Sequence, residues 1–404
     1  MTHLIRRFAL ASTGLFLCLQ APAMAQQDQS FEDWMTGFRA ELSADGVSSE
    51  ILTSMFDGLE PNNTVIDRDS SQPEFVRPVW SYLNIAAGDV RRDNGRAAAA
   101  NILSVLEAVE ERHQVDADVL TAIWGLESAY GEILGNMDVV QSLATLAWEG
   151  RRRSWAEGEL RAVATMIERG YARREDLRGS WAGAMGQTQF IPSTYLERAV
   201  DFDGDGRRDI WANEGDALGS AANLLARAGW EFEAPTAIEV TLPADFDYVS
   251  WGERTRKPVS DWAMDGVRPN SGEWSADDLY RRARIILPAG AQGPAFMAFS
   301  NFDAIMRYNN STSYALGVSY LAKRINSDLG LPTGWPESNT PLTRSEARQL
   351  QSALTNAGYS TQGIDGIFGR NSRAALKRYQ ADHGLTPDGY PGRIVFEQIM
   401  GSNG

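Results

Sequence analysis

The sequence predicts an α+β chain, mostly helical, with a small antiparallel sheet inserted between helices and a separate three-helix unit near the C-terminal end. Three observations predict it. Apolar residues recur at helical spacing from about Phe31 onward, and between about Thr236 and Phe299 this texture gives way to short β-rich runs cut by Pro and Gly. A stretch rich in Pro, Gly, Ser and Thr, "LGLPTGWPESNTPLT", then sets off residues 343–401, which carry an apolar periodicity of their own.

The N-terminal 25 residues stand apart from this plan. Arg6 and Arg7, the apolar run from Phe8 to Leu19 and the small-x-small end Ala23-Met24-Ala25 describe a secretory signal cleaved before Gln26. In "GRAAAANILSVLEAVEERHQ" the spacing puts Ile102, Leu103, Leu106 and Val109 on one side of a helix. Asp116 or Asp118 then caps the helix that contains "AIWGLESAYG", residues 122–131. Further helices follow in "AEGELRAVATMIERGY" and "ALGSAANLLARAGW". The runs "AIEVTLP", "RARIILP" and "AFMAFS" read as strands, and a helix resumes near Phe302. After a linker at 330–342, "EARQLQSALTNAGY", "SRAALKRYQADHGL" and "PGRIVFEQIM" read as three helices. Leu350, Leu354, Ala374, Leu376, Tyr379, Val395 and Ile399 are their expected core.

Composition narrows the chemistry. The single cysteine, Cys18, lies inside the signal, and beyond it the only histidines are His113 and His383, far apart in sequence. That argues against zinc enzymes and against Ser-His or Cys-His catalysis. The formal charge of −15 becomes −17 once Arg6 and Arg7 are removed, which makes nucleic acid an improbable partner and suits a soluble exported protein. No later apolar run approaches the length of a membrane span, so no transmembrane anchor is expected.

Two features carry chemistry. Glu127 shares the apolar stripe of Leu120, Ile123 and Trp124, where a carboxylate is either a rim residue reaching water or a functional acid. Residues 179–211, "GSWAGAMGQTQFIPSTYLERAVDFDGDGRRDIW", combine small residues with the neutral donors and acceptors Ser180, Gln187, Gln189, Ser193 and Thr194 beside Trp181, Phe190 and Tyr195. Such a set suits sugar rings, and a tightly packed corner would use the same glycines and alanines.

"GLESAYG", "GAMGQTQFIPSTYLERAVDFDGDGRRDIW" and "RYNNSTSYA" resemble, in order and spacing, the lytic murein transglycosylase B family, which cuts the glycan strands of bacterial peptidoglycan. The resemblance runs from about Phe31 to Leu329, and "GIDGIFGRNSRAALKRYQADHGLTPDGYPG" resembles the three-helix peptidoglycan-binding module of cell-wall enzymes. It implies a lysozyme-like catalytic domain at 31–329 in which Glu127 is the single acid and base. It further implies that Tyr82, Ser180, Gln189, Tyr308, Asn309 and Tyr314 bind substrate. One glutamate then suffices, where ordinary glycosidases use two carboxylates, because the muramic sugar's own 6-hydroxyl attacks and leaves a 1,6-anhydro end. No catalytic cofactor is implied. The expected location is the periplasm, with association with the wall or outer membrane and recruitment into cell-wall enzyme complexes left open, and the expected state is a monomer.

"DFDGDGRRD" sets Asp201, Asp203, Asp205 and Asp209 at the first, third, fifth and ninth positions of a calcium loop, with the Arg207 carbonyl at the seventh. Ala212 stands where a bidentate Glu is usual; the family's longer loop implies that Asp216 closes it. A structural Ca²⁺ is the expectation, and a metal-free aspartate turn the alternative. Two other functions fit the same residues: a hydrolytic muramidase using Glu127 with water, and a non-catalytic wall-binding scaffold.

Overall fold

The computed structural model describes residues 29–70 and 77–401. The signal sequence expected at 1–25 lies outside the described residues. The chain is mostly helical, with small antiparallel sheets, as its periodicity predicts. No described helix is long and apolar enough to cross a membrane.

The main core is helical, and helix Thr312–Asn326 runs through it with a buried run from Tyr314 to Ala322. Such a helix, apolar almost all round, is stable only when other elements enclose it. Helices Ala117–Ser128 and Val79–Ala86 do so, and Arg324 pins its C-terminal end. The buried Arg324 guanidinium donates to the carbonyls of Ala87 and Leu329 and pairs with Asp89 at 2.5 Å.

The insertion is a five-stranded antiparallel sheet built on Ala237–Thr241, Arg282–Ile286 and Ala295–Ala298, flanked by the two-residue strands Lys257–Pro258 and Arg268–Pro269. Ala295–Ala298 pairs with both longer neighbours, with Met297 opposite Ile238 on one side and Ile285 on the other. Because side chains alternate across a strand, the two faces diverge. Ala237, Ile286, Phe296 and Ala298 join the main core, whereas Val240, Ile285, Ala295 and Met297 pack with Val259, Trp262 and Val267 in a second, smaller one.

Helices Arg344–Asn356, Arg370–Asp382 and Arg393–Gly401 close a third core around Leu350, Leu354, Leu376, Val395 and Ile399. They lie against the sheet insertion, where Ala291 N donates to Asp388 Oδ2 at 2.8 Å and Lys377 sits 5.4 Å from the centre of the Trp251 ring.

Three local expectations need correction. The helix read through Ile102 breaks there, at φ −122°, into Asp89–Asn101 and Leu103–His113. Counting across that break misplaces Leu103, which is 56% exposed, while Leu106 and Val109 are buried as expected. In the tail, Ala375 is buried in place of Ala374, which lies two residues, some 200° of helical turn, from Leu376. Asp116 does hold the N-cap position of helix Ala117–Ser128, but its carboxylate accepts from Trp230 Nε1 and Glu233 N. Glu110 caps in its place, accepting the Ala117 N–H at 2.6 Å.

Candidate active site

Helix Ala117–Ser128 is buried on every face from Val119 to Gly125, so the stripe read from the sequence is part of a fully enclosed segment. Glu127 falls just where enclosure ends and is half-buried. The helix stops at Ser128 because Ala129 turns left-handed at φ 51°, followed by Tyr130 at 64° and Gly131 at 84°. The N–H groups of Ala129 and Tyr130 return to the carbonyls of Gly125 and Trp124, satisfying the end of the helix. Left-handed backbone at Ala and Tyr costs roughly 1–2 kcal/mol per residue. Tertiary contacts hold it: Tyr130 meets Trp124 edge-on at 5.7 Å and donates its hydroxyl to Arg91 O at 2.7 Å. Gly125 is required beneath that ring, since a Cβ there would come within 2.4 Å of Tyr130. Arg91 donates in turn to the Gly125 carbonyl, so two helices clamp the turn carrying Glu127.

The partner of Glu127 comes from the central helix. Tyr314, 5% exposed, donates its hydroxyl to Glu127 Oε1 at 2.5 Å. Tyr308 stacks on Tyr314 with ring centres 6.4 Å apart, and its hydroxyl donates to Thr188 O at 2.5 Å. Burial pushes the Glu127 carboxyl up to about 7 from an ordinary 4.5, and the Tyr314 hydrogen bond opposes that rise. Both phenols are raised well above their ordinary range, by burial first and by the charge of Glu127 second, so they remain neutral donors. Among the described residues, no other carboxylate contributes to the shift of Glu127.

The remaining predicted residues have contacts of their own. Tyr82 lies against the central helix at Gly317, where a Cβ would come within 3.0 Å of its ring, and it is close enough to Tyr314 to affect that hydroxyl's ionisation. Ser180 and Gln189 sit in the tight segment 179–190, in which Met185 pairs with Phe190 through two backbone hydrogen bonds of 2.9 Å. Ser180 Oγ accepts from Ala182 N and Ala184 N. The Gln189 amide donates to Leu134 O and Gly186 O, which leaves its carbonyl oxygen as the end it can offer a ligand. Asn309 ends helix Ser300–Tyr308 in an exposed position, one residue from Tyr308.

Gln187 organises more than its place in the motif suggested. Its buried side chain accepts from Trp124 Nε1 at 2.8 Å and donates to Trp211 O at 3.3 Å, tying the Glu127 helix to the aspartate loop. Arg91 and Glu110 had no sequence signal, because each lies outside every motif and acts on a backbone group of another helix.

In the aspartate loop, Asp201, Asp203 and Asp205 bring carboxylate oxygens within 4.8 Å of one another. Asp201 accepts from the N–H groups of Gly204, Asp205 and Gly206, and Asp205 from Arg207 N. No described Lys or Arg pairs with any of the three, and an all-oxygen donor set of this kind fits a hard dication. Asp209 and Asp216 do not join that cluster. Asp209 accepts from Trp211 N and Ala212 N. Asp216, fully buried, accepts from Phe202 N at 2.7 Å and Asp209 N at 2.6 Å, locking the two ends of the loop together.

The chain resembles several known proteins over most of its length. The transglycosylase SLT domain family matches residues 30–323, and a peptidoglycan binding domain family matches residues 343–399. The chain is 33% identical over 214 residues to the membrane-bound lytic murein transglycosylase B of Escherichia coli (strain K12), a match covering 52% of this chain and 57% of that protein's length. The crystal structure of SltB3 from Pseudomonas aeruginosa in complex with NAG-anhNAM-pentapeptide is 44% identical, with a TM-score of 0.88 over 92% of this chain and 100% of that one. The Escherichia coli Slt35 structure in complex with calcium is 26% identical, with a TM-score of 0.63 over 72% of this chain and 92% of that one. With nearly three quarters of its length matched by the one family and its Glu127–Tyr314 pair enclosed by that matched region, the chain belongs to the transglycosylase SLT domain family.

Proposed function

We propose that this chain is a lytic transglycosylase of peptidoglycan, acting between N-acetylmuramic acid and N-acetylglucosamine, with Glu127 as its only acid and base. The observation that carries the reading is the environment of Glu127: a carboxyl raised to about 7 by burial, held by one tyrosine and influenced by no second carboxylate. Such a group is substantially protonated near neutrality and can donate a proton to the glycosidic oxygen as the C1–O4 bond breaks. The resulting carboxylate then takes the proton of the muramic 6-hydroxyl as C1–O6 forms. No water is consumed, and Glu127 ends in the state in which it began. Tyr314 fixes the carboxyl rotamer, and the Tyr308–Tyr314 stack offers an aromatic wall to a sugar ring. Tyr82, Ser180, Gln189 and Asn309 complete the substrate-binding set in this reading.

The catalytic region is assigned to 31–329, the linker to 330–342 and the wall-binding unit to 343–401. Export through the signal at 1–25 delivers the protein to the periplasm. Asp201, Asp203 and Asp205 fit a structural Ca²⁺, with the Arg207 carbonyl, Asp209 and Asp216 completing the loop around it; the ion takes no part in the chemistry.

The test is Glu127→Gln on purified sacculi, with products identified by mass spectrometry. Turnover to anhydro-muropeptides should fall by at least ~10²–10⁴-fold with the fold intact. A folded variant that releases anhydro products at near the wild-type rate would sink the mechanism.

A further inference from the structure

Helix Asp89–Asn101 carries none of the residues assigned to substrate, yet it is joined to both helices that bring Glu127 and Tyr314 together. Its Arg96 donates to Arg324 O and Ile325 O, each at 2.9 Å, and to Ser327 O at 2.7 Å, and its Asp89 pairs with Arg324. Those contacts fix the C-terminal end of helix Thr312–Asn326, whose other end carries Tyr314. Its Arg91 donates to Ile85 O at 3.2 Å and to the Gly125 carbonyl near the end of helix Ala117–Ser128, where a guanidinium also meets the negative end of the helix dipole. One helix thus braces two others.

The second joint to the Glu127 helix is Tyr130. Its hydroxyl donates to Arg91 O at 2.7 Å, and its ring fills a seat made by two glycines on neighbouring helices. A Cβ at Gly95 would come within 2.6 Å of the Tyr130 hydroxyl, as one at Gly125 would come within 2.4 Å of the ring. Glu127 stands between the two points that are held, two residues after Gly125 and three before Tyr130. Tyr314 holds its Oε1, which leaves the other oxygen for the sugar, and the backbone between Gly125 and Tyr130 sets where that oxygen lies.

We propose that Arg91 and Tyr130 are positioning residues for the acid–base step, acting on Glu127 through the turn 125–130. The inference deepens the transglycosylase reading and rests on it for the reaction that Glu127 performs. One carboxyl must reach the glycosidic oxygen as an acid and then the 6-hydroxyl as a base, so an error in its placement acts at both steps. A displacement of about 1 Å can cost about 10²-fold in rate. The same joints keep the turn closed, and closure is what favours the protonated carboxyl. Among the described residues the titratable groups coupled to Glu127 are Tyr314 and Tyr308, with Tyr82 acting on Tyr314 in turn. Tyr314 and Tyr308 stay neutral, so a change in the titration of Glu127 reports a change in its burial.

The experiment compares wild type with Arg91→Met, with Tyr130→Phe, which removes one oxygen and leaves the ring in its seat, and with a control, Arg96→Met, which opens the brace at the end remote from Glu127. On purified glycan strands kcat should fall about tenfold in Arg91→Met and about threefold in Tyr130→Phe, with KM within about twofold of wild type in both. Once the turn loosens, water reaches the carboxyl, so the alkaline limb of the pH–rate profile should move down from about 7 in both variants. Arg91→Lys keeps one charged donor and should recover part of kcat. Arg96→Met should lose stability and keep both kcat and the limb. The inference would be overturned by an Arg96→Met variant that moves kcat and the limb as far as Arg91→Met does, by an alkaline limb that stays in place, or by variants that raise KM and spare kcat.

A second readout needs no turnover. The Glu127 carboxyl can be titrated by carbon-13 NMR in protein labelled at its glutamate side-chain carboxyls, with Glu127→Gln supplying the assignment. It should titrate near 7 in wild type and lower in Arg91→Met and Tyr130→Phe. Equal titration in wild type and both variants would also overturn the inference. Wild-type protein that releases no anhydro products would instead defeat the transglycosylase reading, and the NMR titration would still decide whether Arg91 and Tyr130 hold Glu127.

Discussion

Glu127 and the aspartate loop use the same functional group in opposite ways. Around Glu127 the protein removes water and returns a single hydrogen bond, from Tyr314, and the carboxyl is pushed up to about 7. Around Asp201, half-buried like Glu127, the carboxylate accepts three backbone N–H groups. Burial with few donors favours the neutral acid, whereas at Asp201 the carboxylate is spent on holding the loop's backbone N–H groups. Asp216 lies between these cases. It is fully buried yet accepts two N–H groups, and its carboxyl is still raised, because burial, helped by the charges of Asp203 and Asp201, outweighs the two bonds that oppose it. Donors moderate the effect of burial without cancelling it.

The largest effect that would break this comparison is at Asp216. Asp216→Ala leaves the N–H groups of Phe202 and Asp209 without their acceptor, and stability should drop by about 3 kcal/mol in chemical denaturation. Asp216→Asn should recover part of that. A loss below about 1 kcal/mol would mean that the loop ends are held by something other than this carboxylate.

Next comes Tyr314→Phe, which removes the hydrogen bond that lowers the Glu127 pKa. The carboxyl should then titrate above about 7 and the alkaline limb of the pH–rate profile should move up. Turnover at the optimum should fall about tenfold, because the acid is less firmly positioned. An alkaline limb that stays in place would detach Glu127 from that limb.

A smaller effect concerns folding. Because the folded-state pKa of Glu127 is raised from 4.5 to about 7, its proton is held more tightly in the native state. The native state therefore suffers no penalty from this group below about pH 4.5, and stability is lost as pH rises through about 7. Glu127→Gln removes that penalty, so the variant should be the more stable by about 1 kcal/mol at pH 8, with the difference closing near pH 4. Parallel stability–pH curves for the two proteins would contradict the burial account.

The smallest effect is at Asp203, whose carboxylate accepts from Asp205 N and Asn213 Nδ2 on an exposed stretch. In chelator, Asp203→Ala should change stability by under about 1 kcal/mol. Calcium should raise the melting temperature of wild type and raise that of the variant less. Equal melting of wild type with calcium and with chelator would reduce the loop to a turn.

Much of this was legible in the sequence, and the exceptions share a cause. The strand runs near 237, 282 and 295 and the three tail helices were readable because period and punctuation are local properties. The anomaly of Glu127 was readable for the same reason: a carboxylate on an apolar stripe is visible without a structure. Leu103 was misplaced because a break at Ile102 resets the helical phase and no Pro or Gly marks it. Capping by Glu110 in place of Asp116 depends on where Trp230 lies, 114 residues away. The Glu127–Tyr314 bond spans 187 residues, and its geometry exists only once both helices have packed. Two further short strands, Lys257–Pro258 and Arg268–Pro269, carry prolines that hid them from a propensity reading.

The sheet insertion bears on how the molecule comes apart. Each long strand sends alternate side chains into the main core and into the smaller one, so the strand is a wall common to both. Neither core can open without exposing the back of the other, and local melting cannot be confined to the insertion. Adjacent amides whose side chains face opposite cores, such as those of Phe296 and Met297, should therefore exchange with solvent in a single cooperative event. Two hydrophobic bodies that would otherwise be independent units of folding are thereby bound into one.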